Sequence, residues 1–163
     1  MSTILYPGTF DPVTNGHMDL IVRGRRLFDR VVVGVAAAHH KSGVFFSAEE
    51  RRAMLEESVR GMDGVEVLSF DGLLVDFARS VGAKAILRGL RAMSDYEFET
   101  QMAFMNRRLD EEMEIFFLPA DERYTFVNSS LIKEIARLGG DVSSFVPAPV
   151  LGRLRKSFGG SRS

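Results

Sequence analysis

The sequence predicts an α/β protein: a Rossmann-like, five-stranded parallel sheet with helices on both faces, in a single domain. Three observations predict it. Short apolar runs alternate with stretches of helical period along the whole chain. The run Val31-Val32-Val33-Gly34-Val35-Ala36-Ala37 is apolar throughout, as a strand covered on both faces requires. A length of 163 residues with 45% hydrophobic content suits one domain with an adequate core.

The first element is Thr3-Ile4-Leu5-Tyr6, a buried strand. It enters a turn, Tyr6-Pro7-Gly8-Thr9-Phe10-Asp11-Pro12-Val13-Thr14-Asn15-Gly16-His17, and then a helix in which Leu20, Ile21, Leu27 and Phe28 recur at helical spacing. The valine run is the second strand and ends in a polar loop, Ala38 to Gly43. Ser47-Ala48-Glu49-Glu50 is a capping box with Ser47 at the N-cap. Its helix carries Met54, Leu55, Val59 and Met62 inward and stops near Gly61 to Gly64. Val65 to Phe70 is the third strand, and Asp71-Gly72 turns into a helix, Leu73 to Val81, that Gly82 ends. Ala85 to Leu90 is the fourth strand, its last residues turning basic.

Ser94-Asp95-Tyr96-Glu97 reads as a second capping box, opening a long helix to about Leu109. Phe98, Met102, Met105 and Leu109 mark one face of it, with Phe98 and Met102 expected in the core. Glu114 to Pro119 is the fifth strand. A polar turn, Ala120 to Phe126, leads through Val127-Asn128-Ser129-Ser130 to a helix, Leu131 to Leu138, with a Gly139-Gly140 stop. Pro147 and Pro149 precede a last helix, roughly Val150 to Lys156. The domain is therefore expected over residues 1–156, with 157–163 a frayed tail.

Composition narrows the function. A net charge of −1 offers no basic field for nucleic acid. The absence of cysteine excludes disulfides, thiolate metal sites and cysteine nucleophiles. The longest apolar run, Val31 to Ala38, is too short to span a bilayer, and the early first strand leaves no room for a signal peptide. A soluble, cytoplasmic protein without a membrane or nucleic-acid partner is expected.

In a parallel α/β sheet the loops that follow the strands gather on one edge, where ligands bind. The unusual polar residues of this chain do follow strands. Thr9 to His17 comes after the first, Lys41 after the second, Arg88 to Arg91 at the end of the fourth, and Tyr124 to Ser130 after the fifth. Three cations, two helix N-termini and several hydroxyls on one edge describe a polyphosphate site. His17 falls in the first turn of a helix, where the dipole disfavours the imidazolium and leaves a neutral hydrogen-bond donor. There is no GxxxxGK[ST] loop and no GxGxxG after the first strand. No carboxylate cluster has metal-ligand spacing, so Mg²⁺ is expected to arrive with a nucleotide.

Each residue also has a plainer reading. Lys41 alone would be an ordinary loop lysine, and His39-His40 a solvated loop face. Arg91 could pair with Asp95 or Glu97, and Ser129 and Ser130 could be N-cap chemistry. Glu99 reads as solvated surface and Leu74 as core. Arg88 is harder to dismiss, because a charge ending a buried strand needs a partner.

Motifs sharpen this. The first turn, with Thr14-Asn15-Gly16-His17, resembles the T/H-x-G-H signature of the nucleotidylyltransferase superfamily. Arg88-Gly89-Leu90-Arg91 with Asp95-Tyr96-Glu97-Phe98-Glu99, and Phe126-Val127-Asn128-Ser129-Ser130-Leu131-Ile132-Lys133-Glu134, resemble the bacterial phosphopantetheine adenylyltransferase family. The resemblance runs from about Ile4 to Leu154. It implies direct in-line transfer of AMP from ATP to 4′-phosphopantetheine, giving dephospho-coenzyme A and pyrophosphate, without a covalent intermediate. It also implies Mg²⁺ with the ATP, coenzyme A as a candidate inhibitor, and a homohexamer.

By the same resemblance His17, Thr9, Lys41 and Arg88 are catalytic. Thr9, Lys41, Leu74 and Arg88 would hold phosphopantetheine. ATP would lie on Thr9, Phe10, His17, Gly89, Leu90, Arg91 and Glu99, and on the segment Tyr124, Thr125, Phe126, Val127, Asn128, Ser129 and Ser130. Two departures stand out: Asn128 where the family usually has serine, and His39-His40 where it often has proline or asparagine. On the residues alone two other readings stay open. One is a relative acting on another phosphorylated acceptor, such as nicotinamide mononucleotide or glycerol phosphate. The other is a nucleotide or coenzyme A sensor without turnover.

Overall fold

The computed structural model describes residues 1–37 and 42–159. Its strands are β1 (Thr3–Gly8), β2 (Arg30–Ala36), β3 (Val65–Phe70), β4 (Ala85–Leu90) and β5 (Glu114–Pro119). They form one parallel sheet in the order β3-β2-β1-β4-β5, as the alternating pattern predicts. The helices are α1 (Asn15–Leu27), α2 (Ala48–Ser58), α3 (Leu74–Ser80), α4 (Met93–Leu109), α5 (Ser129–Arg137) and α6 (Ala148–Phe158), with a 3₁₀ turn at Glu122–Tyr124.

Side-chain alternation along the strands builds two cores. Ile4 and Tyr6 of β1, Val31, Val33 and Val35 of β2, and Leu87 of β4 pack with Leu20 and Ile21 of α1, Met54 and Leu55 of α2, Ile132 of α5 and Val150 of α6. Leu5, Val32 and Ile86 face the other way, onto Val75 and Ala78 of α3. The valine run is unbroken in the sequence because both of its faces are buried.

The central strands split. β1 pairs with β2 along its whole length, from Thr3↔Arg30 to Gly8↔Val35. With β4 it pairs at Ile4↔Ala85 and Leu5↔Ile86. Arg88, Gly89 and Leu90 instead pair with Phe117, Leu118 and Pro119 of β5. The chain leaves β1 toward β2 and β3, then crosses to β4 on the opposite side. Strand order reverses at the split, which is where a ligand crevice forms.

Several local expectations are corrected. α4 starts at Met93 with Ala92 as N-cap and no side-chain cap, so the second capping box is not formed. Asp95 turns back instead and accepts the Arg91 backbone N–H at 3.0 Å. Phe98 and Met102 are 60% and 42% exposed, not core, and Asn106 is the residue that α4 buries. α5 begins at Ser129 because Asn128 is its N-cap, accepting the Leu131 N–H at 2.9 Å. The last helix continues past Lys156 to Phe158, whose ring lies 4.8 Å from that of Phe45. Residues 160–163 of the expected tail lie outside the described residues. Among the described residues no helix is long and apolar enough to cross a membrane.

Candidate active site

A cavity of about 720 Å³ opens where β1 and β4 part. Thr9, Phe10, His17, Leu74, Arg88, Gly89, Arg91, Glu99, Tyr124, Val127, Asn128, Ser129 and Ser130 all line it. Leu90, Thr125 and Phe126 do not: Phe126 is 59% exposed, and Thr125 donates its hydroxyl to the Glu122 carbonyl. Lys41 and the His39-His40 pair lie outside the described residues.

His17 is set by the start of α1. The Thr14 backbone N–H donates to its Nδ1 at 3.0 Å, while the Thr14 hydroxyl accepts the His17 N–H at 3.4 Å. This is a capping box with histidine in the place usually held by Glu or Gln. Because Nδ1 accepts a hydrogen bond, the neutral ring carries its proton on Nε2. Burial, followed by the nearby charges of Arg91 and Arg88, pushes the His17 pKa down to about 4. The ring is therefore a neutral donor at physiological pH. Burial and the two arginines, rather than the helix dipole, account for the shift. The Phe10 ring supports the imidazole edge-on, with centroids 5.0 Å apart.

The cations are held by backbone and carboxylates. Arg88 makes a two-point contact with Glu99, Nε to Oε2 at 2.7 Å and Nη2 to Oε1 at 2.6 Å, and donates to the Pro7 carbonyl at 3.2 Å. This is the partner that a charge at the end of a buried strand needs. Burial is the largest single influence on the Arg88 pKa and pulls it down, but the Glu99 hydrogen bonds, the Glu99 charge and Tyr6 together outweigh it, for a net rise. Glu99 is thus not a solvated residue: its side chain is 12% exposed. Arg91 pairs with Asp95 at 3.3 Å and reaches the Val127 carbonyl at 3.2 Å, which ties β4 to the segment before α5. Leu74 is half-buried at the cavity edge, where it also packs on the second core.

Both α1 and α5 begin at the cavity, the first through Thr14, Gly16 and His17, the second through Asn128, Ser129 and Ser130. Helix N-termini favour anions, although at α1 the Asn15 N–H is taken by the Phe145 carbonyl and the His17 N–H by the Thr14 hydroxyl, and at α5 the Leu131 N–H by Asn128. Ser129 spends its hydroxyl on the Pro12 carbonyl at 2.8 Å, locking α5 to the first turn. Gly89 lets β4 approach α1, since a Cβ there would stand 2.5 Å from Leu20 Cδ1. Among the described residues, the acidic and phenolic side chains that line the cavity are all engaged or neutral. Asp11 is paired with Lys133 at 2.5 Å, Glu99 with Arg88, and burial drives the Tyr6 phenol well above its ordinary pKa.

The sequence singles out neither Thr14 as the partner of His17 nor Arg51, and Asp11 and Lys133 stand within the motifs without a role. Thr14-Asn15-Gly16-His17 does carry the spacing of a capping box, so the signal for Thr14 was present.

Residues 5–135 match the cytidylyltransferase-like family model. The phosphopantetheine adenylyltransferase of Desulfosudis oleivorans is 52% identical over 159 residues, covering 98% of this chain and 94% of that one. The chain belongs to the phosphopantetheine adenylyltransferase family. Among solved structures, a Vibrio parahaemolyticus protein assigned as a nicotinate-nucleotide adenylyltransferase superposes with a TM-score of 0.68. It covers 96% of this chain and 93% of its own at 17% identity, which speaks for the shared fold alone. Asn128 keeps the start of α5 intact through its own cap.

Proposed function

We infer that the chain transfers AMP from ATP to 4′-phosphopantetheine, giving dephospho-coenzyme A and pyrophosphate in coenzyme A biosynthesis. The observation that supports the mechanism is the pairing of a neutral His17 donor with an anchored Arg88 in a cavity whose described carboxylates are both held by cations. The attacking group is a phosphate oxygen, already ionised, so it needs no base. It forms a bond to the α-phosphorus as the bond to the bridging oxygen breaks, and pyrophosphate leaves in line. The protein's work is positioning and charge stabilisation.

His17 Nε2–H donates to an α-phosphate oxygen, assisted by Thr9. Arg88 and Lys41 hold the acceptor phosphate, and Leu74 lies against the pantetheine arm. ATP occupies the side of Gly89, Arg91, Tyr124 and residues 127–130, its terminal phosphates on the N-terminus of α5. Glu99 acts by fixing the Arg88 guanidinium, because both of its oxygens are taken there. Mg²⁺ would be carried by the phosphates of the nucleotide. The carboxylates lining the cavity, Asp11 and Glu99, are each engaged by a cation and fit a metal poorly.

A homohexamer fits the outward apolar face of α4, where Phe98, Met105 and Leu109 are 60%, 61% and 53% exposed. Coenzyme A, which carries the product's groups, would compete at the same cavity. A cytoplasmic location goes with a nucleotide-dependent biosynthetic reaction. The test is pyrophosphate release from Mg²⁺–ATP with and without 4′-phosphopantetheine. Release that depends on phosphopantetheine is expected. Equal release with nicotinamide mononucleotide or glycerol phosphate, or binding without release, would overturn the reading.

A further inference from the structure

A buried polar node behind the first turn takes no part in the chemistry described so far. The Asp11 carboxylate accepts the backbone N–H groups of Phe45 and Phe46, each at 2.8 Å, and the Lys133 ammonium at 2.5 Å. Lys133, on α5, also donates to the Gly43 carbonyl at 3.2 Å. Arg51, on α2, is 1% exposed and donates to four carbonyls. These belong to Thr9 at 2.7 Å, Ala36 at 2.8 Å, and Ala37 and Phe46 at 3.1 Å. Taking such ions out of water costs several kcal/mol apiece, and well-packed apolar side chains often serve stability as well. Stability alone does not account for them.

What the node encloses is Phe10. Its φ of 50° lies in the left-handed region, which a bulky residue keeps only when its surroundings enforce it. The enforcement comes from both sides: the carbonyl before Phe10 is taken by Arg51, and the carboxylate after it by Lys133 and two amides. The ring so placed lies edge-on to His17 at 5.0 Å and to Tyr6 at 5.4 Å. Gly8 makes room for it, since a Cβ there would stand 2.9 Å from the ring.

We propose that Asp11, Lys133 and Arg51 are positioning residues for adenylyl transfer, which bracket Phe10 and thereby fix its ring beneath the His17 imidazole. The kinetic half of this rests on the function inferred above; the geometric half does not. The node joins α2, the first turn and α5, so the His17 donor and the α5 N-terminus keep one spacing. An in-line displacement is sensitive to that spacing, with misplacement by about 1 Å costing on the order of 100-fold.

The test uses the full chain. The double variant Asp11→Asn/Lys133→Met removes both charges together and leaves no lone buried ion. Arg51→Lys, a second variant, keeps its charge but loses the fork that reaches several carbonyls. Two readouts separate positioning from mere stability. The first is the NMR shift of the His17 ring protons in the free protein, assigned by their loss in His17→Gln and set partly by the ring current of Phe10. The second is kcat and KM for both substrates. Expected are shifts moved toward those of an unstacked histidine, and kcat lowered about 10- to 100-fold with KM values held within about threefold.

Lys133→Arg, which keeps the ion pair, should retain most of both signals. Unchanged His17 shifts in a folded variant would overturn the proposal. So would a loss confined to KM, which would make these residues substrate ligands. Should the double variant not fold, Arg51→Lys decides by the same criteria. A wild-type protein that releases no pyrophosphate would defeat the adenylyl-transfer reading and leave the shift measurement to judge the node.

Discussion

α1 and α4 follow the two strands that part at the cavity, and they are opposite in build. α1 opens with a reciprocal cap, buries Leu20, Ile21 and Gly24 against the sheet, and delivers His17 from its first turn. α4 opens without a side-chain cap, buries Asn106, and turns Phe98, Met102, Met105 and Leu109 outward. Its one contribution to the cavity is Glu99, fastened to Arg88. The apolar stripe of α1 is spent on its own sheet. That of α4 is exposed. An exposed apolar face of this kind is a candidate contact surface.

The contrast predicts that damage to α1 reaches the chemical step and damage to α4 reaches substrate placement or assembly. The largest effect is expected for His17→Ala. Removing a donor that acts on transition-state charge should lower kcat about 100- to 1000-fold, with ATP affinity changed only a few-fold. Parallel losses in turnover and in ATP binding by calorimetry would break the distinction. Next comes Glu99→Gln, which replaces a two-point ion pair with a neutral amide. Arg88 would then lose its fixed orientation, and KM for phosphopantetheine should rise about tenfold, the worth of one charge-assisted hydrogen bond. A change in KM for ATP alone would return Glu99 to the nucleotide.

How much of this was legible in the sequence follows the same division. The strands were, because β2 needs apolar residues on both faces and β1 leads straight into a glycine-bracketed turn. The cavity wall was too, since polar residues after parallel strands can meet only at one edge. The second capping box was not, because Ser94-Asp95-Tyr96-Glu97 has the right spacing and the decision fell to Asp95, which caps the Arg91 N–H. Phe98 and Met102 misled because helical period marks an apolar face without saying whether the chain's own core covers it. Arg51 carried no local signal: its four acceptors come from four residues of three separate segments, and only the fold brings them together.

A smaller effect on the chain itself, but a visible one on assembly, is expected for Met105→Lys. The side chain is 61% exposed, so the substitution should move the stability of the isolated fold by no more than about 0.5 kcal/mol. If the chain assembles as the proposed homohexamer and α4 is the contact between copies, a buried ammonium there has no partner and the assembly should fall to smaller species in light scattering. Unchanged circular dichroism would show that the fold survives. An unchanged mass would place the contact elsewhere and leave the α4 stripe unexplained.

The smallest effect sharpens the account of His17. Its pKa is about 4 in the folded chain against 6.5 for an ordinary histidine. Between those values the unfolded chain binds the extra proton and the folded chain does not, so stability rises with pH across the window and is lost as pH falls from 6.5 toward 4. Two carboxylates held low by arginines, Asp110 by Arg79 and Asp121 by Arg123, also cost stability on acidification, but from 3.8 downward, beneath that window. The share due to His17 is therefore the difference between the wild type and His17→Gln, read from urea denaturation at a series of pH values. The wild type should be the steeper of the two between pH 4 and 6.5 and parallel to the variant above it. Equal slopes throughout would mean that His17 titrates normally, that its ring is as wet as a surface histidine, and that the neutral Nε2 donor on which the chemistry depends is charged for part of the physiological range.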